Sequence, residues 1–272
     1  MRRKTSVGWK RMIGRSARGA GVIVAVCVTA AAGPSRADVR PPPSPALQPA
    51  PAASALTSLP PTPEVAAAAK ARADALIAAA HAEAYFDNIS EGAEPRVRHK
   101  ASGMECVFAP DGPAAIVLDA APGASPGESA ACTTTSVLDS GDRAIVTLRA
   151  AKLAGANATL DQALAAVAAD VKRTAPGAKP LAGQFPHITL SGDKGGDAPV
   201  QKALRFQVAG RHTPPTYLRA AAGVAGGWAI TQTSSAPLAQ AGDADLLSEV
   251  MLNVALIDVF YAGQKAAEAK AP

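Results

Sequence analysis

The sequence predicts an α+β fold, with antiparallel sheet flanked by helices in the order αββββ–αββββ–α and one disulfide. Three observations carry this. Strand-like segments come in runs instead of alternating with helices, the pattern of antiparallel sheet. Segments of helical period precede, divide and close those runs. Two cysteines remain after an expected export leader, an even pair that reads as one bridge in an oxidising compartment.

The leader comes first. Residues 1–37 hold eight of the 27 Lys and Arg and no Asp or Glu. A basic stretch ending near Arg18 runs into an apolar one, Ala20 to Ala32, of the length of a signal-peptide core. Ser35-Arg36-Ala37 places small residues at −3 and −1, so cleavage is expected after Ala37. A spanning helix needs roughly 20 apolar residues, and this run is shorter; no transmembrane helix is expected in the mature chain. Thr5 and Ser6 stand where a twin-arginine signal wants apolar residues, and Val26 before Cys27 is not the small residue of a lipoprotein signal. Without the leader, 19 basic residues face 22 acidic ones. The sequence pI of 9.2 therefore describes the leader, and the argument from basicity to nucleic acid falls away.

Residues 38–63 read as a disordered linker: nine prolines lie between Arg40 and Pro63, with almost nothing large and apolar to bury. Residues 64–90 read as an alanine-rich helix, with Leu76, Ile77, Ala80, Ala84 and Tyr85 on one face. Residues 91–264 form the α+β domain and 265–272 a disordered tail. Within the domain, strands are expected over Met104 to Ala109 and Ala114 to Ala120, around the turn Pro110-Asp111-Gly112-Pro113. Two more follow over Ala130 to Val137 and Arg143 to Ala151. Thr159-Leu160-Asp161-Gln162 fits a capping box and opens a helix to Ala175, stopped by Pro176-Gly177. The second series runs from Gln184 to Leu190, Val200 to Ala209, Tyr217 to Ala222, and Trp228 to Ser234. A last helix runs from an N-cap at Asp243 to Ala262. Leu246, Leu247, Val250, Met251, Val254, Ile257 and Tyr261 form its apolar face, and Gly263 suits its end.

Cys106 and Cys132 raise a geometric problem. In a simple meander they would lie two strands apart, about 9.5 Å, whereas a disulfide accepts Cα separations of about 4.4–6.8 Å. Either the third strand lies beside the first or one cysteine sits at a loop end; adjacency is expected.

Catalytic signatures are sparse. His81, His99, His187 and His212 form no HExxH-type spacing, and no metal or cofactor is expected. Ser191 to Asp197 resembles a phosphate loop but lacks its order, and reads as a hairpin turn. Asp243 and Asp245 suit a helix first turn through its dipole better than a calcium site. Arg96-Val97-Arg98-His99-Lys100 is the one dense basic run of the mature chain. It reads as a solvated edge strand, with binding of an anionic partner as the functional alternative. Trp228, beside Gly226-Gly227, reads as core, or as the wall of a ligand groove with Tyr217 and Phe206.

The run Val97-Arg98-His99-Lys100-Ala101-Ser102-Gly103-Met104-Glu105-Cys106-Val107-Phe108, with Thr159 to Leu164 and Ala178-Lys179-Pro180, resembles a group of uncharacterised secreted bacterial proteins over about residues 84–262. The resemblance implies a shared envelope-side fold and nothing about activity. In layout alone, the second half is similar to Mog1/PsbP-type α+β domains.

The expectation is a non-enzymatic binding or assembly module of the bacterial periplasm or exterior, meeting an envelope or cell-surface partner. Arg96, Arg98, His99, Lys100 and Trp228 are its candidate surface; its oligomeric state is left open. The alternatives are an envelope hydrolase built from His99 or His187 with nearby acids, and a carrier of small apolar ligands with a cavity near Trp228.

Overall fold

A computed structural model describes residues 61–119, 125–153, 159–183, 185, 199–210 and 213–269. The expected leader, most of the linker, the Gln184–Leu190 strand apart from Phe185, the Ser191–Asp197 turn, His187 and His212 lie outside these residues.

The α+β class holds: among the described residues, ten strands form two antiparallel sheets flanked by three helices. Six strands precede the middle helix where four were expected. The first helix, α1 (Pro63–Ala79), starts at Thr62, whose hydroxyl accepts the Val65 N–H at 3.5 Å. It stops well short of residue 90. His81 takes a positive φ of 50°, and Tyr85 and Phe86 leave the helix so that Phe86 can enter β1 (Phe86–Asn88) and be buried. Alanine propensity is a weak preference, and burial of one aromatic ring outweighs it.

β1, β2 (Arg96–His99) and β3 (Glu105–Val107) form a small sheet in that order. The basic run is therefore a central strand, not an edge. Its alternation explains the difference: Val97 and His99 turn into the core while Arg96 and Arg98 face water.

The large sheet has the order β4-β5-β6-β10-β9-β8-β7. Its strands are β4 (Ala115–Leu118), β5 (Ser129–Val137), β6 (Arg143–Lys152), β7 (Lys179–Pro180), β8 (Gln201–Val208), β9 (Thr216–Ala225) and β10 (Trp228–Pro237). Two meanders join where β6 pairs with β10, from Trp228 opposite Lys152 to Ser235 opposite Ile145. Gly226 and Gly227, both at positive φ, close the tight β9–β10 hairpin, the conformation such a two-residue loop demands.

Cys106 and Cys132 form the expected disulfide, with Cα atoms 6.2 Å apart. The expected adjacency of their strands does not occur. Cys106 lies on β3 of the small sheet and Cys132 on β5 of the large one. The bridge crosses between stacked sheets, which satisfies the distance without lateral neighbours. Around it, Phe86, Val97, Ile116, Ala130, Leu148, Trp228 and Ile230 form the main core.

Helix α2 (Leu160–Thr174) carries the expected capping box, Thr159 and Gln162 satisfying each other's backbone amides. It buries Val167, Ala168 and Val171 on the far face of the large sheet, against Phe206 and Ala220. Helix α3 (Ala241–Glu268) follows a short 3-10 turn (Leu238–Gln240) and lies on the core-side face of β9 and β10. Asp243 is in its first turn and is not its cap. Gly263 does not end it either: the helix runs on to Glu268, into the expected tail. A Cβ on Gly263 would stand 3.0 Å from the Gly226 Cα, so glycine here allows helix and hairpin to touch.

Candidate functional site

Helix α3 is apolar on both sides. A surface helix ordinarily buries one apolar stripe and shows its charges to water. α3 buries Leu252, Ala255, Leu256 and Val259 in the main core and, on the same side, Asp245, Ser248, Glu249 and Asn253. On the outside it carries Leu246, Val250 (40% exposed), Val254 (47%) and Tyr261 (44%). Leu247, Met251 and Ile257 are half-buried beside them. By length and composition α3 is apolar enough to cross a membrane, yet its inner side is packed on a sheet.

The sheet explains the buried polar residues. On the face of β8–β10 that meets α3, Arg205, Tyr217, Arg219, Gln232 and Ser234 point at the helix. Arg205 and Arg219 are cross-strand neighbours, an arrangement of like charges that requires counter-charge. Asp245 supplies it. Its carboxylate, 0% exposed, accepts two hydrogen bonds from Arg205 at 2.8 Å each, through Nε and Nη2, and one from the Tyr217 hydroxyl. Arg219, 1% exposed, brings Nε to 3.2 Å from Asp245 and Nη2 to 3.9 Å from Glu249. Arg219 also donates to Gln232, whose amide donates to the Ser248 carbonyl at 2.7 Å; the Ser248 hydroxyl bonds to Ser234 at 2.8 Å. Burial pulls the Arg219 pKa down against the pull of Asp245, and burial first, then Asp245, holds the Tyr217 hydroxyl above its usual range. Helix dipole is thus too small a role for Asp245, which pins α3 to the sheet. The polar residues of the helix are committed inward beside Leu252, Leu256 and Val259, and a second apolar stripe is left outward.

The expected surface residues divide into two places. His99, Lys100 and Trp228 meet at a cleft of about 440 Å³, shared with Tyr85, Glu128 and Lys152. His99 is buried between Phe86 (ring centroids 5.1 Å apart) and Trp228 (5.7 Å, edge-on). Its Nδ1 is 2.8 Å from the Ser102 hydroxyl oxygen, which also accepts the Met104 N–H at 3.1 Å. If Ser102 is to satisfy its own buried proton it must donate to Nδ1, which places the histidine proton on Nε2. Among the described residues Nε2 has no partner of hydrogen-bonding geometry. Burial pushes the His99 pKa below the ordinary value, the Gly127 backbone working weakly against it. The hydrolase alternative names His99 with nearby acids; the group that His99 meets is instead the Ser102 hydroxyl, which is buried and engaged by its own turn. Arg96 and Arg98 stand apart, paired with Glu94 at 3.5 Å and Glu105 at 2.6 Å. Trp228 does not meet Tyr217 or Phe206: Tyr217 belongs to the α3 cluster, Phe206 to the α2 side. A second groove, about 620 Å³, lies beside α2 and is walled by Ile145, Thr147, Thr231 and Thr233. No group of three or more metal-ligating side chains occurs among the described residues.

The segment that carries the resemblance is β2, its turn and β3. Val97, His99, Ser102, Cys106 and Phe108 are buried there, and Gly103 takes a φ of 80°, its missing Cβ leaving room for Ala262 of α3. Those residues build the small sheet and its staple.

Fold and surface together define a disulfide-stapled, two-sheet α+β domain with an apolar helix face turned outward. No family model and no curated protein matches the chain. Among solved structures, CalU16 from Micromonospora echinospora matches 52% of this chain and 96% of its own, at 12% identity and a TM-score of 0.23. LpqN of Mycobacterium tuberculosis, a protein involved in cell envelope biogenesis, matches 64% and 89%, at 12% identity and a TM-score of 0.27. Likeness at that level carries no argument about this chain.

Proposed function

We propose that this protein is an exported, non-enzymatic assembly module of the bacterial envelope that docks a protein partner on the outer face of α3. One observation carries the reading: Leu246, Val250, Val254 and Tyr261 form an exposed apolar stripe on a helix whose charged side is already used. Contiguous apolar surface of this kind marks interaction sites on soluble proteins. Export is supported by the leader's three-part pattern and by the Cys106–Cys132 bridge, which a reducing cytosol would oppose. The test is photo-crosslinking in cells with benzoylphenylalanine at position 254. The expected result is a reproducible crosslink to a protein, absent when the probe replaces exposed Val137 on the far edge of the sheet. No protein adduct at position 254, or adducts to lipid alone, defeats the proposal.

A further inference from the structure

Resting on that docking reading, we infer that the partner on α3 is a second copy of this chain, packed antiparallel with its two-fold axis at Val254. Spacing is the first argument. Leu247, Val250, Val254, Ile257 and Tyr261 are separated by three, four, three and four residues, the repeat of a helix that packs along another helix.

Charge is the second. Among the described residues, α3 exposes no charged side chain between Asp243 and Lys265. Each of these is eleven residues from Val254, about 16 Å along the axis, and at 100° per residue each projects within about 20° of the Val254 direction. An antiparallel pair centred on Val254 therefore sets Asp243 of each copy against Lys265 of the other. Leu247 then lies over Tyr261, and Val254 over its own counterpart. A parallel pair would set Asp243 against Asp243 and Lys265 against Lys265. The self-complementarity that an isologous interface requires is present in this helix, and the antiparallel order also opposes the two helix dipoles. Asp258, on one flank, does not interrupt the stripe: it is half-buried in its own domain, under the influence of Glu105, Arg98 and Arg96. A lipid surface fits less well. Helices that lie on membranes carry Lys and Arg on the side opposite their apolar face, and here that side is buried with Asp245 and Glu249.

Sedimentation velocity of the purified protein over a concentration series is the test. The native chain is expected to dimerise. Val254→Lys places two ammonium groups together at the axis and is expected to weaken the dimer about 100-fold or more, since juxtaposed like charges cost several kcal/mol. Val254→Leu should keep it. Asp243→Lys alone and Lys265→Asp alone each turn two attractive pairs into repulsive ones, and each should weaken it about three- to ten-fold. The double swap should restore it, which neither a parallel pair nor a general loss of folding would produce. A native chain that stays monomeric at every concentration overturns the inference, as does a dimer indifferent to Val254→Lys or a double swap no better than the singles. The failures separate from those of the docking reading. A monomer that crosslinks from position 254 to a different protein removes only the second copy, whereas the absence of any protein crosslink removes both.

Discussion

Asp245→Asn changes one heavy atom and tests what holds α3 in its orientation on the sheet. The carboxylate is fully buried and faces two guanidinium groups and a phenol. Asparagine keeps one acceptor oxygen but turns an NH2 toward groups that are themselves donors, and it removes the charge between Arg205 and Arg219. Arg205, about a quarter exposed, can turn to water; Arg219, at 1%, cannot. Breaking a buried pair while leaving one charge behind costs about 3–5 kcal/mol, so unfolding in urea, followed by far-UV circular dichroism, should show a loss of that size. Arg219 then keeps Glu249, at 3.9 Å, as its remaining counter-charge. Arg219→Met in the Asp245→Asn background should cost less than the sum of the two single changes, because both remove the same buried ion pair. A loss under about 1 kcal/mol for Asp245→Asn, or a double variant as unstable as the sum of the singles, would refute the view that this cluster fixes the helix.

Replacing both Cys106 and Cys132 by alanine should cost about 3.5 kcal/mol by the loop-closure estimate for the 26-residue separation, read as a lower urea midpoint; no change under non-reducing conditions would show that the sheets do not need their staple. His99 predicts an acid limb. Its native pKa lies below the unfolded value near 6.5 because burial disfavours the imidazolium, so stability is complete above about pH 6.5 and falls as the unfolded chain takes up the proton, at no more than about 1.4 kcal/mol per pH unit. Lys100, Lys152 and Glu128 line the same cleft, with Lys152 paired to Glu128 and Lys100 to Asp87. His99→Phe should flatten the dependence between pH 7.5 and 5; an unchanged slope would assign it to other groups.

The elements that were legible are those set by local chemistry. The Thr159–Gln162 box starts α2 because both reciprocal bonds lie within four residues. The Gly226-Gly227 hairpin follows from two positive φ angles, and the cysteine pair follows from an even number of cysteines outside an expected export leader. What was not legible depended on which surfaces meet. The Arg96–His99 segment reads as an edge because its charges alternate, but alternation fits a central strand with one wet face equally well. Strand adjacency for Cys106 and Cys132 presupposed a single sheet, and the bridge in fact spans two. At the candidate surface, Lys100 and Trp228 were legible as exposed or aromatic outliers; their meeting with Tyr85 and Glu128 was not, since it joins β2, β10 and two loops.

The orientation of α3 shows why the apolar stripe alone could not decide what it packs against. Hydrophobic period identifies a helix with two unlike sides, and burial of the apolar one is then the default. A sign of the exception was present in the strands. Arg205, Tyr217, Arg219, Gln232 and Ser234 all point to the core-side face of the large sheet, too many polar groups for an apolar helix to cover without stranding charge. Asp245, Ser248 and Glu249 are the complement, spaced three and four residues along one side of α3. Satisfying those charges decides which side of a helix apolar all round faces the sheet, Leu252, Leu256 and Val259 following into the core, and the other apolar stripe becomes surface. On this argument the docking face is a consequence of the buried ionic cluster. Weakening the cluster by Asp245→Asn should therefore loosen association through α3 as well as the fold, whereas Val254→Lys should loosen association alone.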